Sequence, residues 1–169
     1  KKNEKRNQFI EIKKKDKKVS VLLRGYRSKN KSIFHKVSKS DTFNKVGDEA
    51  LLYANCVPTY ITTNRNFAIE RIINEKQTDI LLLDDGFQDF SFKKNLNILC
   101  FHQNQLIGNG LVLPAGPLRE SLSSLKRAHG VLINGKKNES FERKILSINK
   151  NLKIFYSRYK PQNLEEFKN

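Results

Sequence analysis

The 169 residues predict an α/β protein, a mostly parallel sheet with helices on both faces, and three observations lead there. Short, continuous runs of apolar and β-branched residues have the composition of strands buried on both sides. Segments of helical periodicity separate those runs, as in successive βαβ units. The length suits one ordinary domain with a single core, expected over residues 19–169 behind a basic lead-in at 1–18.

Taken in order, residues 1–18 are lysine-rich, with Phe9, Ile10 and Ile12 spaced neither as a helix nor as a strand. VSVLL at 19–23 reads as the first buried strand and stops at Arg24-Gly25-Tyr26. A helix is expected near 47–55 and a strand at 59–62. From Asn64, which can cap, Phe67, Ala68, Ile69, Ile72 and Ile73 supply a helical apolar face. Residues 79–83 then run as a strand into Asp84. Strands at 96–101, 130–133 and 152–155 and helices near 119–126 and 140–149 continue the alternation. Ligands of such sheets collect at the carboxyl ends of strands. Arg24, Asp84 and Asn134 stand at such ends, which predicts that they share one rim.

The bulk composition narrows the function classes. With 37% apolar and 30% charged residues, the longest clean apolar stretch is 80–83, far below the roughly 20 residues of a membrane-spanning helix. No signal-peptide pattern opens the sequence, so a cytosolic setting is the expectation. Cys56 and Cys100 lack partners at metal-ligand spacing, so neither zinc nor a disulfide framework is supported, and both are expected reduced and partly buried. The formal charge of +16 suits nucleic acid, anionic lipid headgroups or phosphorylated substrates, and charge alone does not choose among them. Abundant lysine and asparagine are also what a compositional bias would produce.

Three segments carry candidate chemistry. An apolar strand ending in Asp84-Asp85 is how phosphate-loop (Rossmann-like) nucleotide enzymes place carboxylates on Mg²⁺, a hard cation that prefers rigidly held oxygens. A strand can also end in Asp because the following turn favours a short polar side chain. Such a magnesium site needs a GxxxxGK[ST] loop to cradle the phosphates, and the sequence contains none. The nearest match, Gly130 to Lys136, lacks the final Ser or Thr and encloses a strand; the missing loop is expected before residue 1. In VGDEALL, Asp48 and Glu49 follow a glycine at a helix start. There they suit the helix dipole, and equally a general base for an alcohol. The run 108–120 holds three glycines and two prolines, with Pro117 expected to open a helix near Arg119 and Glu120.

RGYRSK at Arg24, VGDEALL at Val46, LLLDDGFQ at Leu81, GNGLVLPAGPLRE at Gly108 and LKRAHGVLING at Leu125 occur in the order found in the tetraacyldisaccharide 4'-kinases, which the chain resembles over about 19–135. The resemblance implies ATP and Mg²⁺ as cofactors and the 4'-hydroxyl of the lipid A disaccharide 1-phosphate as acceptor. It also implies a peripheral site at the cytoplasmic face of the inner membrane, with an anionic membrane surface as partner and no nucleic acid. Position by position, it implies Asp48 as base with Glu49 beside it, Asp84, Asp85 and Glu120 on the metal side, and Arg24, Tyr26, Arg65, Asn109 and Arg119 on the substrate side. Three departures stand out: Asp89 where the family usually has histidine after DDGFQ, His129 where RAD is usual, and Arg27 for the glycine after RGY. The family's anchor and phosphate loop are expected before this chain and the histidine supporting the base after it, so a fragment or truncated homologue is expected.

Two other classes remain open on the residues alone. A non-catalytic basic protein would bind nucleic acid, but five tyrosines and 11 phenylalanines show no basic-aromatic interleaving. Another phosphate-loop enzyme with a small soluble substrate would share the Asp-Asp strand and leave LPAGPLRE unexplained.

Overall fold

In the computed structural model, which describes residues 16–25 and 32–158, the first strand, β1 (Val19–Leu23), is buried along its whole length. It lies between β3 (Thr59–Thr62) and β4 (Ile80–Leu83), parallel to both, with Val21 opposite Thr59 and Leu82. A short strand, β2 (Phe34–Lys36), adds antiparallel to β3 and gives the order β2-β3-β1-β4. Successive side chains of a strand point to opposite faces. Val19, Val21, Leu23 and Ile61 therefore pack with Val46, Ala50 and Tyr53 of α1 (Phe43–Val46) and α2 (Asp48–Ala54). Leu22 and Tyr60 meet Ala68 and Ile72 of α3 (Arg65–Asn74) in a separate cluster. Two clusters on the two sides of β1 are what a sheet covered on both faces requires.

Local chemistry explains most boundaries. The Asn64 side chain accepts from the Phe67 amide at 3.2 Å and starts α3. Between β2 and α1, Asp41 accepts from the Ser38 amide at 2.9 Å, His35 Nε2 lies 2.8 Å from it, and Lys45 pairs with it at 2.6 Å. Burial opposes ionisation of Asp41. The hydrogen bonds from Lys45, Ser38 and His35 outweigh burial and hold the carboxyl well below its ordinary range.

The chain divides into two compact units, Lys1–Phe92 and Lys93–Asn169. The second contains β5 (Ile98–His102), β6 (Gly130–Asn134) and β7 (Lys153–Ser157), all parallel in the order β5-β6-β7. Its helix, α4 (Glu139–Ile148), is capped by Asn138, whose side chain accepts from the Phe141 amide at 2.9 Å. It buries Phe141 and Ile145, and Phe101 meets Phe141 edge-on at 5.2 Å.

Several expectations need correction. The strands form two sheets, and residues 84–97 between β4 and β5 hold neither helix nor strand. Arg24 and Asp84 follow strands of the first sheet, and Asn134 ends a strand of the second. The helix expected at 119–126 is a 3₁₀ helix, Leu122–Arg127, and Pro117 lies in the loop before it. Ser121, Ser123 and Ser124 explain this, since short hydroxyl side chains compete for backbone groups; the Ser121 and Ser123 hydroxyls bond each other at 2.6 Å. Cys100 is exposed, whereas Cys56 is half-buried as expected.

Leu22 is fully buried on β1, so Leu22→Ala should lower the urea unfolding free energy by about 3 kcal/mol through lost transfer and a residual cavity. Ile73→Ala, at a side chain 62% exposed, should change it by less than about 0.5 kcal/mol in the same titration.

Candidate active site at the acidic turn

The carboxyl ends of β1, β3 and β4 lie on one side of the first sheet, and each is followed by a charged residue: Arg24, Arg65 behind its cap Asn64, and Asp84. The Asp84 amide still donates to the Leu22 carbonyl at 3.2 Å, extending the β1–β4 ladder by one residue. The chain then turns sharply. Asp85 adopts a left-handed backbone with φ of 52°, a conformation that costs a non-glycine residue roughly 1 kcal/mol and that Asp tolerates better than most. Gly86 completes the turn where a Cβ would stand 2.8 Å from the Leu83 Cβ.

Arg65 holds this turn from beneath. Its side chain is only 4% exposed, and Nη2 donates to the Asp84 carbonyl while Nη1 donates to the Asp85 carbonyl at 3.1 Å and to Asp89 Oδ2 at 3.3 Å. Arg65 Nε is buried without a hydrogen-bond partner. A buried guanidinium needs a counter-charge, and Asp89 supplies it. Asp89 Oδ1 accepts from the Ser91 hydroxyl at 2.6 Å and the Ser91 amide at 3.2 Å. Arg24 Nη2 stands 3.6 Å from Asp89 Oδ2, with its own side chain 68% exposed. The Ser91 hydroxyl does most to lower the Asp89 carboxyl, burial works against it, and the Ser91 amide and Arg65 add to it, bringing it down to about 2.

Arg24 and Arg65 thus meet at the Asp89 carboxylate, and Arg65 in turn holds the carbonyls of Asp84 and Asp85. Asp84 is half-buried and Asp85 exposed. Arg65, expected on the substrate side, spends its guanidinium on the turn itself. Asp48 and Glu49 are exposed at the start of α2, where Asp48 Oδ1 accepts from the Glu49 amide at 2.9 Å. Tyr26 and Arg27 lie outside the described residues. Sequence reasoning treated Asp89 only as a departure. The available signal was Asp89-Phe90-Ser91, the spacing of a side chain that bonds the backbone two residues on.

In the second unit the run after Gly108 folds back on itself. Leu113 N donates to the Leu118 carbonyl at 2.8 Å and Leu118 N to Leu111 at 3.2 Å. The Asn109 side chain donates to the Ala115 carbonyl at 2.8 Å and accepts from the Leu111 amide at 3.1 Å, so its amide serves the loop. The repeated glycines now have reasons. A Cβ on Gly108 would lie 2.6 Å from Pro117 Cγ, and one on Gly116 would collide with Asn109 and the Leu111 carbonyl. Arg119 is exposed. Glu120 Oε2 accepts from Arg127 Nη2 at 2.6 Å, whereas its Oε1 is buried without a hydrogen-bond partner. His129 Nδ1 accepts from the Asn97 amide at 3.0 Å and ties the approach to β5 to that of β6.

Among the described residues no group of three or more His, Cys, Asp or Glu side chains could hold a metal ion. Two carboxylates beside one turn still fit Mg²⁺, which is commonly held by one or two protein carboxylates, with waters and substrate phosphates completing its shell.

The chain matches the family profile described as tetraacyldisaccharide-1-P 4'-kinase over residues 9–169. A tetraacyldisaccharide 4'-kinase of Haemophilus influenzae is 40% identical over 131 residues, covering 76% of this chain and 40% of that protein. One from Legionella pneumophila is 36% identical over 73% of this chain and 39% of its own length, and one from Pelagibacter ubique 36% over 73% and 40%. The chain thus spans about 40% of the length of these relatives. Among solved structures, LpxK from Aquifex aeolicus in complex with ATP superposes with a TM-score of 0.61 at 22% identity, covering 89% of this chain and 67% of that one. That likeness agrees with the α/β fold of parallel sheets and helices.

Asp89 is lowered to about 2 in the folded chain from an ordinary 3.8, so its stabilising contribution is complete above about pH 4 and is lost as pH falls through 2. Asp89→Asn should therefore be less stable than the parent at pH 6 in urea titrations, and the difference should narrow steadily between pH 4 and pH 2.

Proposed function

Because the chain belongs to the tetraacyldisaccharide-1-P 4'-kinase family, we propose that it provides the acceptor-side and metal-side part of an enzyme that transfers the γ-phosphoryl group of ATP to the 4'-hydroxyl of the lipid A disaccharide 1-phosphate. The observation that carries this reading is the acidic turn at the carboxyl end of the parallel sheet, whose two aspartates are locked by a buried arginine. Ligands of doubly covered parallel sheets bind at that edge. A pair of carboxylates held rigidly there suits a hard cation far better than two mobile surface acids.

Each residue then has a task. Asp48 orients the 4'-hydroxyl and takes its proton as the oxygen attacks the γ-phosphorus, and the bond to ADP breaks as the new ester forms. Glu49 lies next to it as a second acceptor. Asp84 and Asp85 would hold Mg²⁺, which when bound neutralises charge developing on the phosphates. The unpartnered Oε1 of Glu120 suits the further metal-side ligand that the family implies. Arg24 and Arg119, both exposed, suit the anionic groups of the substrate, with Tyr26 and Asn109 as further substrate-side candidates.

The acceptor is a lipid, and the +16 charge supports work at an anionic membrane surface, where each nearby Lys or Arg contributes about 1 kcal/mol. Among the described residues no helix is long and apolar enough to cross a membrane. Peripheral attachment at the cytoplasmic face of the inner membrane is the location this reading implies.

The assay joins a phosphate-loop segment ahead of residue 1 and follows 4'-phosphorylation of the lipid. Asp48→Asn should lower kcat about 100-fold or more with little change in KM for the acceptor, because the lost interaction acts on the proton in flight. Phosphorylation at the parent rate would remove Asp48 from the role of base. Asp85→Asn should raise the Mg²⁺ concentration needed for half-maximal rate by about tenfold, and an unaltered requirement would remove Asp85 from the metal side.

A further inference from the structure

We infer that Asp89 is a positioning residue for a divalent cation at Asp84 and Asp85, acting through Arg65; this rests on the reading of that pair as metal-side carboxylates. The geometry gives Asp89 two effects. One is on shape. Arg65 is the group that grips both carbonyls of the turn, and it can hold them only while its own position is set. Asp89 sets it, since Oδ2 takes the same Nη1 that bonds the Asp85 carbonyl, while Oδ1 is itself pinned by the Ser91 hydroxyl and amide. Asp85 is in a left-handed conformation, so rotation of its flanking peptides would redirect its carboxylate relative to that of Asp84.

The second effect is on charge. A guanidinium 4% exposed beneath two metal ligands repels a dication entering above it. The Asp89 carboxylate, 13% exposed and 3.3 Å from that guanidinium, offsets the repulsion without itself occupying the metal position. Arg24 lies 3.6 Å from the same oxygen. One carboxylate therefore links the residues that follow β1, β3 and β4, and it coordinates the acidic turn with the exposed arginine beside it.

Mn²⁺ titration of the ¹⁵N-labelled chain tests this, reading paramagnetic broadening of the amides at residues 84–86. The parent chain should broaden there first. Asp89→Ala should need about tenfold more Mn²⁺ for half-broadening, as loss of a residue supporting metal ligands commonly does. Asp89→Asn keeps the size of the side chain and an acceptor for Ser91 but removes the charge; it should fall between the two and carries the test if the alanine variant fails to fold. Equal half-broadening concentrations in the parent and in Asp89→Asn would overturn the positioning role alone. Broadening that persists unchanged in the double variant Asp84→Asn with Asp85→Asn, or none at 84–86 in the parent, would overturn the metal-side reading and the positioning role with it.

Discussion

The burial of the Arg65 guanidinium is the constraint that organises the first unit. A positive charge withdrawn from water at the edge of an apolar core is tolerated only if its surroundings supply acceptors and a counter-charge. Here the acceptors are the carbonyls of Asp84 and Asp85 and the counter-charge is Asp89. The turn after β4 therefore does more than reverse the chain. It exposes backbone dipoles inward to an arginine while its acidic side chains are left for other work.

That arrangement depends on packing below it. Leu22 and Tyr60 on one face and Val21, Leu23 and Ile61 on the other anchor β1 and β3 against helices on both sides. Strands buried on both faces have little freedom to shift register, because a one-residue slip would exchange the two clusters. The ends of β1, β3 and β4 are thus defined positions, and Arg24, Arg65 and Asp84 take their places from them. A rigid sheet edge is the kind of platform on which catalytic groups hold their geometry.

The second unit applies the same economy to a loop. Backbone hydrogen bonds from Leu113 to Leu118, from Gly116 to Val112 and from Leu118 to Leu111 close the loop after Gly108, the Asn109 side chain braces it, and the following 3₁₀ helix ends at Arg127, paired to Glu120. The conformation here is set by what fits next to a proline ring or a carbonyl. The curated relatives match about three quarters of this chain, and the match covers about 40% of their own length.

Strands β1 and β3, and the ends of α3 and β4 to within a residue or two, were legible because their signals are local: a continuous apolar run, a capping asparagine, a periodic apolar face. The Asp-Asp pair and the order of the motifs were legible too, and with them the family. Strand β2 was not. Phe34-His35-Lys36 has no pattern of its own and is extended because β3 offers an unpaired edge. The role of Arg65 escaped for the same reason. As the first residue of a helix it reads as an exposed cation, and only its approach to residues 19 to 24 positions away makes it a buried clamp. By itself the sequence determined most of the strands and the longer helices and which residues carry charge, since those follow from neighbours along the chain. Tertiary structure alone decided the split into two sheets and the conversion of Asp89 from an anomaly into a counter-charge, because both depend on which distant groups share a desolvated space.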